Sequence, residues 1–202
     1  MENKISVDNR ILLSLFELCG DEARGLDKAF IFCKKGKAPV FFSSNGYSAI
    51  KIEEAEPELY GGDDKIIAIP DLFKKILKYK KKEEDKNPAL NNTLISANDT
   101  KVILENFSYL PLTCEFANVN STFKELPDVF KYKYEKTEVI ALNMGLTAKV
   151  ASALSKLGVS KVPTLALSAD GSALCGNIQN ENFIVEIALM PCRVETEGAT
   201  NE

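Results

Sequence analysis

Histidine is absent from all 202 residues, and so is tryptophan. Without imidazole the commonest general base and metal ligand is missing. Serine–histidine–aspartate and cysteine–histidine mechanisms are excluded, as are histidine-bearing zinc sites. Long apolar runs are missing too. Runs such as Ile66–Pro70 and Ile184–Leu189, the latter broken by Glu186, fall far short of the roughly 20 residues a membrane-spanning helix needs. The polar start Met1-Glu2-Asn3-Lys4 carries no apolar signal segment. The cysteines, Cys19, Cys33, Cys114, Cys175 and Cys192, are odd in number and form no Cys-x-x-Cys pair. That pattern points to small buried side chains in a reducing cytoplasm, not to a disulfide framework or metal knuckle. No glycine-rich phosphate loop is present, neither G-x-G-x-x-G nor G-x-x-x-x-G-K. The acid pairs Glu53-Glu54 and Asp63-Asp64 fall in a linker-like stretch. The expectation is a protein that is not an enzyme and uses no cofactor or metal.

What is present is enough apolar material for a core, 45% of residues, at a length of one large domain or two small ones. One local pattern recurs three times: a short alternating strand, a capping residue or proline, then an amphipathic helix. The strands are Lys4–Asp8, Lys65–Pro70 and Glu138–Asn143. The helices run over 10–19, 71–82 and 146–157, with Asp8, Asp71 and Asn143 as expected N-caps. Their apolar stripes are Ile11, Leu12, Leu15, Phe16 and Cys19; Leu72, Phe73, Ile76 and Leu77; and Leu146, Val150, Ala153, Leu154 and Leu157. Such stripes belong to helices lying on a sheet. Each helix is followed by short alternating runs separated by turns such as Lys35-Gly36-Lys37, Asn45-Gly46 and Asp170-Gly171, as antiparallel hairpins require. The chain therefore reads as an α+β protein of repeated β-α-β-β-β units, antiparallel sheets with helices on one face. Residues 53–64 and 119–136 read as linkers or long loops.

Charge is unevenly placed. The net charge is −4, yet positions 74–82 hold six lysines and no acid. Lys74, Lys75, Lys78, Lys81 and Lys82 lie opposite the apolar stripe of the second helix, and Lys149 and Lys156 share a face of the third. A solvated helix face would account for one such helix. A basic surface on an otherwise acidic protein also suits phosphates held without sequence reading.

Four segments carry a resemblance to a known family. Ser43-Ser44-Asn45-Gly46-Tyr47 resembles a Thr-Asp-Gly-His-Arg turn, and Ile69-Pro70 a strand–proline–helix junction. Thr122-Phe123-Lys124-Glu125-Leu126-Pro127-Asp128 resembles a Phe-Pro-Asp-Tyr segment. Ala188-Leu189-Met190-Pro191-Cys192-Arg193-Val194 resembles a Met-Pro-Met-Arg-Leu ending. Together they resemble the bacterial sliding clamp family, the beta subunit of replicative DNA polymerase.

The resemblance implies a clamp domain over 1–120, made of two units, and a second, partial clamp-like domain over 121–202 with an acidic tail. It implies head-to-tail closure of a homo-oligomer around duplex DNA. The DNA-facing residues would be Lys74, Lys75, Lys78, Lys81, Lys82, Lys149 and Lys156. It also implies a hydrophobic cleft for short peptides of a DNA polymerase and clamp-loader-type proteins. Carried over by motif, that cleft would be lined by Gly46, Tyr47, Ala49, Pro70, Phe73, Ala188, Met190, Pro191 and Cys192. Two departures accompany this. Three units are read where the family has six, and Ser48 stands where the family turn has arginine. A clamp-derived module that binds replication or repair peptides without forming a ring is the alternative.

Overall fold

The computed structural model describes residues 4–75, 77, 92–98, 101–106, 112–117, 123–130, 142–159, 163–168 and 172–191. Strand β1 (Ile5–Asp8) leads directly into helix α1 (Asn9–Glu17). Asp8 caps that helix: its carboxylate accepts from the Arg10 amide at 2.7 Å. A 3-10 turn (Glu22–Arg24) leads to β2 (Lys28–Cys33), β3 (Val40–Ser44) and β4 (Ser48–Glu54). The second unit opens with β5 (Lys65–Pro70). Helix α2 begins at residue 73, with 73–75 and 77 described. It is followed by β6 (Asn92–Ala97), β7 (Lys101–Asn106) and β8 (Leu112–Ala117). The third unit is described from α3 (Met144–Lys156) through β9 (Ala166–Leu167), β10 (Leu174–Gln179) and β11 (Phe183–Leu189). Its expected first strand, 138–143, lies outside the described residues except for 142 and 143. Asn143 caps α3, accepting from the amides of Gly145 and Leu146.

The strands form two antiparallel sheets. One has four strands in the order β1-β6-β7-β8, the other seven in the order β5-β2-β3-β4-β11-β10-β9. Units one and two thus exchange their first strands, β1 joining the second unit's hairpins and β5 the first's. Unit three is joined to unit one by β4 and β11, which pair over seven residues from Phe183↔Glu54 to Leu189↔Ser48. Helix α1 lies on β2 and β3, α3 lies on β4 and β11, and the two helices pack side by side. Alternation sorts the side chains. Ile50, Ile52, Val185, Ile187 and Leu189 enter the main core with both helices. Phe30, Phe42, Ala49, Cys175 and Ala188 face the other way and form a second, smaller core.

That second core is covered by the segment 123–130. Phe123 packs edge-on against Phe30 and Phe42, with ring centroids 5.0 and 5.3 Å apart, and Phe130 against Phe42 at 6.1 Å. A stretch that reads as linker is therefore, in this part, a strap across the outer face of the sheet. Leu72 also departs from expectation. It was placed in the apolar stripe of the second helix but is 53% exposed. The helix starts at 73, so the buried phase runs through Phe73 and Leu77, and Leu72 precedes it in a turn.

The alternation on β11 gives a direct test. Ile187→Ala removes a buried side chain and should cost about 3 kcal/mol in urea denaturation. Ile184→Ala, on the partly exposed outer face, should cost less than about 1 kcal/mol.

Candidate functional site

The outer face becomes shallow where the seven-stranded sheet joins units one and three. Ala49 on β4, Ala188 on β11 and Cys175 on β10 stand in one cross-strand row, Ala49 opposite Ala188 and Ala188 opposite Cys175. Ala173 precedes β10 beside them. Phenylalanines fill the same face over β2 and β3, but the small Ala49, Ala173 and Ala188 leave a groove of about 170 Å³. Its walls are Tyr47, Val129 and Met190, which are 49%, 42% and 45% exposed. Three of the large apolar side chains exposed among the described residues thus gather at one depression whose floor is also apolar. Exposed apolar clusters of this kind mark sites of association.

The groove is held rigidly. Asn45 Oδ1 accepts from the amides of Tyr47 (2.9 Å) and Ser48 (2.8 Å), closing the β3–β4 turn. Gly46 supplies the left-handed residue, with φ +85°. Gly20 lies so close that a Cβ there would sit 2.7 Å from Asn45 Cα, so the loop after α1 buttresses the turn. The Met190 amide donates to the Tyr47 carbonyl at 2.8 Å and ties the two walls together. Cys175 donates its thiol proton to the Val129 carbonyl, anchoring the strap at the groove edge. Arg24, from the 3-10 turn, stands over the Tyr47 ring at 5.6 Å. A cation therefore reaches the rim although Ser48 leaves the turn itself uncharged. Next to the groove floor, Lys51 on β4 bonds Glu186 on β11 and Glu53. Burial lowers its affinity for the proton, but the hydrogen bonds and charges of the two glutamates outweigh this and hold the ammonium above its usual range.

Of the nine residues expected to line a cleft, Gly46, Tyr47, Ala49, Ala188 and Met190 come together here. Pro191 follows Met190 but is not part of the lining. Phe73 is elsewhere: it is 0% exposed in the main core, on the opposite side of the sheet. Pro70 is elsewhere too, at the end of β5 opposite Lys28 and three strands from β4. The strand–proline–helix junction is thus a structural corner, not a wall. Cys192 lies outside the described residues. Val129 and Ala173 were missed in sequence. They approach through the strap and a long-range pairing, and no local periodicity announces either.

The lysines divide as well. Lys74 is turned inward. Its ammonium donates to the Phe16 carbonyl at the end of α1 (3.2 Å) and pairs with Glu17 (3.4 Å). It closes the negative end of α1 and is not free for a phosphate. Lys75 and Lys149 are exposed and Lys156 half-buried, and none has an ion pair among the described residues. Lys78, Lys81 and Lys82 lie outside the described residues. Helix α1 contributes little charge to that surface. Residues 11–16 are all buried, and Arg10 is clamped by Asp8 and lies over the Phe183 ring.

Among the described residues no group of metal-ligating side chains gathers. Burial pushes the Cys19 and Cys33 thiols up to about 12, so both stay protonated at neutral pH. No helix among them is long and apolar enough to cross a membrane.

No protein-family model matches the sequence. No curated protein matches it either. Solved structures do. The beta subunit of DNA polymerase III from Borrelia burgdorferi, solved with a natural product, superposes with a TM-score of 0.64 at 13% identity. That match covers 95% of this chain and 64% of the other. Proliferating cellular nuclear antigen from Entamoeba histolytica gives 0.59 at 12% identity, over 96% of this chain and 100% of that one. The A. fulgidus antigen, solved with the C-terminal region of FEN-1, gives 0.54 at 11%, over 96% and 100%.

The chain has the sliding-clamp fold. It spans about two thirds of the bacterial beta subunit and the full length of the two nuclear antigens. Within this clamp fold the β4–β11 pairing and the outer-face strap put the groove on the sheet side, away from the helices.

Lys74→Ala should cost about 1 kcal/mol in urea denaturation, because it unpairs Glu17 and the end of α1. Lys75→Ala should stay within about 0.5 kcal/mol of the parent.

Proposed function

We propose that this chain is a non-catalytic, sliding-clamp-like processivity factor. In this reading it assembles head-to-tail as a homo-oligomer around duplex DNA. It tethers a DNA polymerase, and clamp-loader-type proteins, by short peptides that enter the groove walled by Tyr47, Val129 and Met190. The observation that carries the reading is the coincidence of an apolar, pre-formed groove with the outer face of a clamp fold. Apolar walls that include a flexible methionine suit a short apolar peptide. The A. fulgidus antigen, solved with the C-terminal region of FEN-1 bound, supports a peptide as ligand. Lys75, Lys149 and Lys156 on the helix side would meet phosphates without reading bases, and Lys78, Lys81 and Lys82 are proposed from the sequence to join them. Tethering acts by raising the polymerase's local concentration at the template.

A second reading is favoured by the inward turn of Lys74 and the burial of α1, which thin the cationic surface. In it the chain is a clamp-derived module that binds replication or repair peptides without encircling DNA. Light scattering after size exclusion, with circular primed DNA and a clamp loader, separates the two. A ring gives a closed oligomer retained on the circle and lost on linearisation. A monomer that never loads leaves the module alone. For the groove itself, Met190→Asp should abolish binding of a polymerase-derived peptide in a fluorescence titration while the melting temperature stays within a few degrees. Unchanged affinity would remove the groove from the account.

A further inference from the structure

The strap that walls the groove with Val129 also walls a second, larger cavity with Lys124, Glu125 and Leu126. This cavity, about 520 Å³, lies at the opposite end of the outer face, where the β2–β3 hairpin meets the start of β5. Its floor is the edge of the second core: Phe32, Val40, Ile66 and Leu126. Its charged lining is Lys34, Lys37, Lys65 and Lys124 against Asp64 and Glu125. Two of these are engaged. Asp64 accepts from the Lys35 amide at 2.8 Å. Lys65 donates to the Ala97 carbonyl at 2.9 Å and lies over the Tyr60 ring. Lys34, Lys37 and Lys124 have no ion pair among the described residues. An excess of positive charge with free ammonium groups therefore rings an apolar floor, on a chain whose net charge is −4.

The frame of this cavity is fixed. The amide of Gly36 donates to the Tyr60 carbonyl (2.8 Å), and the amide of Tyr60 donates to the Lys37 carbonyl (2.9 Å). The hairpin is thereby tied to the chain that leads into β5. From Leu126 to Val129 the strap advances three residues, at most about 10 Å. One extended ligand of modest length can therefore reach both cavities along the strap.

We infer that the lysine-ringed cavity receives an acidic flank of the same partner peptide whose apolar anchor fills the groove. The inference rests on the peptide reading of the groove and adds its chemistry: apolar anchor, short spacer, then carboxylates. Three free ammonium groups select glutamate or aspartate there. The apolar floor accepts the methylene stems of those side chains. Electrostatic selection of this kind fixes register and partner more than it adds affinity.

The test uses two fluorescein-labelled peptides. Each has a Leu-Phe anchor and a spacer of four serines. One then carries four glutamates and the other four glutamines. The full chain should bind the glutamate peptide about tenfold more tightly at about 10 mM salt, and the advantage should shrink at about 0.5 M. The triple variant Lys34→Gln, Lys37→Gln, Lys124→Gln should erase that advantage and leave the glutamine peptide's affinity unchanged. Met190→Asp should weaken both peptides alike. Equal affinity of the two peptides for the parent chain overturns this inference and leaves the groove reading intact. If neither binds, both readings fall. If the glutamate peptide binds through the lysines but ignores Met190→Asp, the cavity stands and the groove reading falls. The chain's own segment beyond Pro191 carries Glu195, Glu197 and Glu202. If ending the chain at Pro191 raises affinity for the glutamate peptide tenfold or more, that segment is the occupant and the partner assignment is overturned.

Discussion

The pairing of β4 with β11 is the constraint on which the rest depends. It joins segments about 130 to 140 positions apart into one seven-stranded sheet. One face of that seam, through Ile50, Ile52, Val185 and Ile187, packs with α1 and α3 into the main core. The other face places Ala49 beside Ala188 and so sets the depth of the groove. A slip of one residue in this register would exchange the two faces. It would carry isoleucines outward and alanines into the core. Burial on the helix side thus fixes the geometry of the site on the opposite side, and function inherits its precision from core packing.

The helix side and the sheet side carry different chemistry. On the helix side the charges of α1 are largely compensated within the fold, Arg10 by Asp8 and Glu17 by Lys74. Among the described residues, what remains for a long-range field is Lys75 on α2 and Lys149 and Lys156 on α3. On the sheet side a rigid apolar groove and a lysine-ringed cavity share one strap. In the proposed reading, separation of this kind would let a sequence-independent cation surface and a selective peptide surface coexist without competing for the same residues.

Much of the fold was legible because it is local. The β-rich runs 29–33, 47–52 and 183–190 read as strands, and the structure places strands at 28–33, 48–54 and 183–189. The caps Asp8 and Asn143 announce themselves by chemistry. The turn at Asn45-Gly46 was legible as a turn, and as a site only through its resemblance to a family motif. Phe73 was legible twice over, as core by its apolar stripe and as cleft by its motif, and the core reading is the one that holds. The rest was hidden for physical reasons. Lys74 shares a helical face with Lys78 in projection, yet the carbonyls at the end of α1 and the Glu17 carboxylate draw it inward. Val129 and Ala173 reach the groove only through tertiary pairing, so no period of two or 3.6 could reveal them. The strap read as a linker or long loop because its apolar residues, Phe123, Leu126 and Phe130, follow no strand alternation, and only the fold brings them onto the second core.

The central claim is that a pre-formed groove at the β4–β11 seam is where a short peptide docks. Amide and methyl chemical-shift mapping tests it most directly, on the isotopically labelled full chain titrated with a polymerase-derived peptide. The account predicts shifts concentrated on Tyr47, Ala49, Val129, Ala173, Ala188 and Met190, with the core methyls of Ile52 and Val185 unmoved. Shifts confined to the helix side, or spread through both cores, would contradict it.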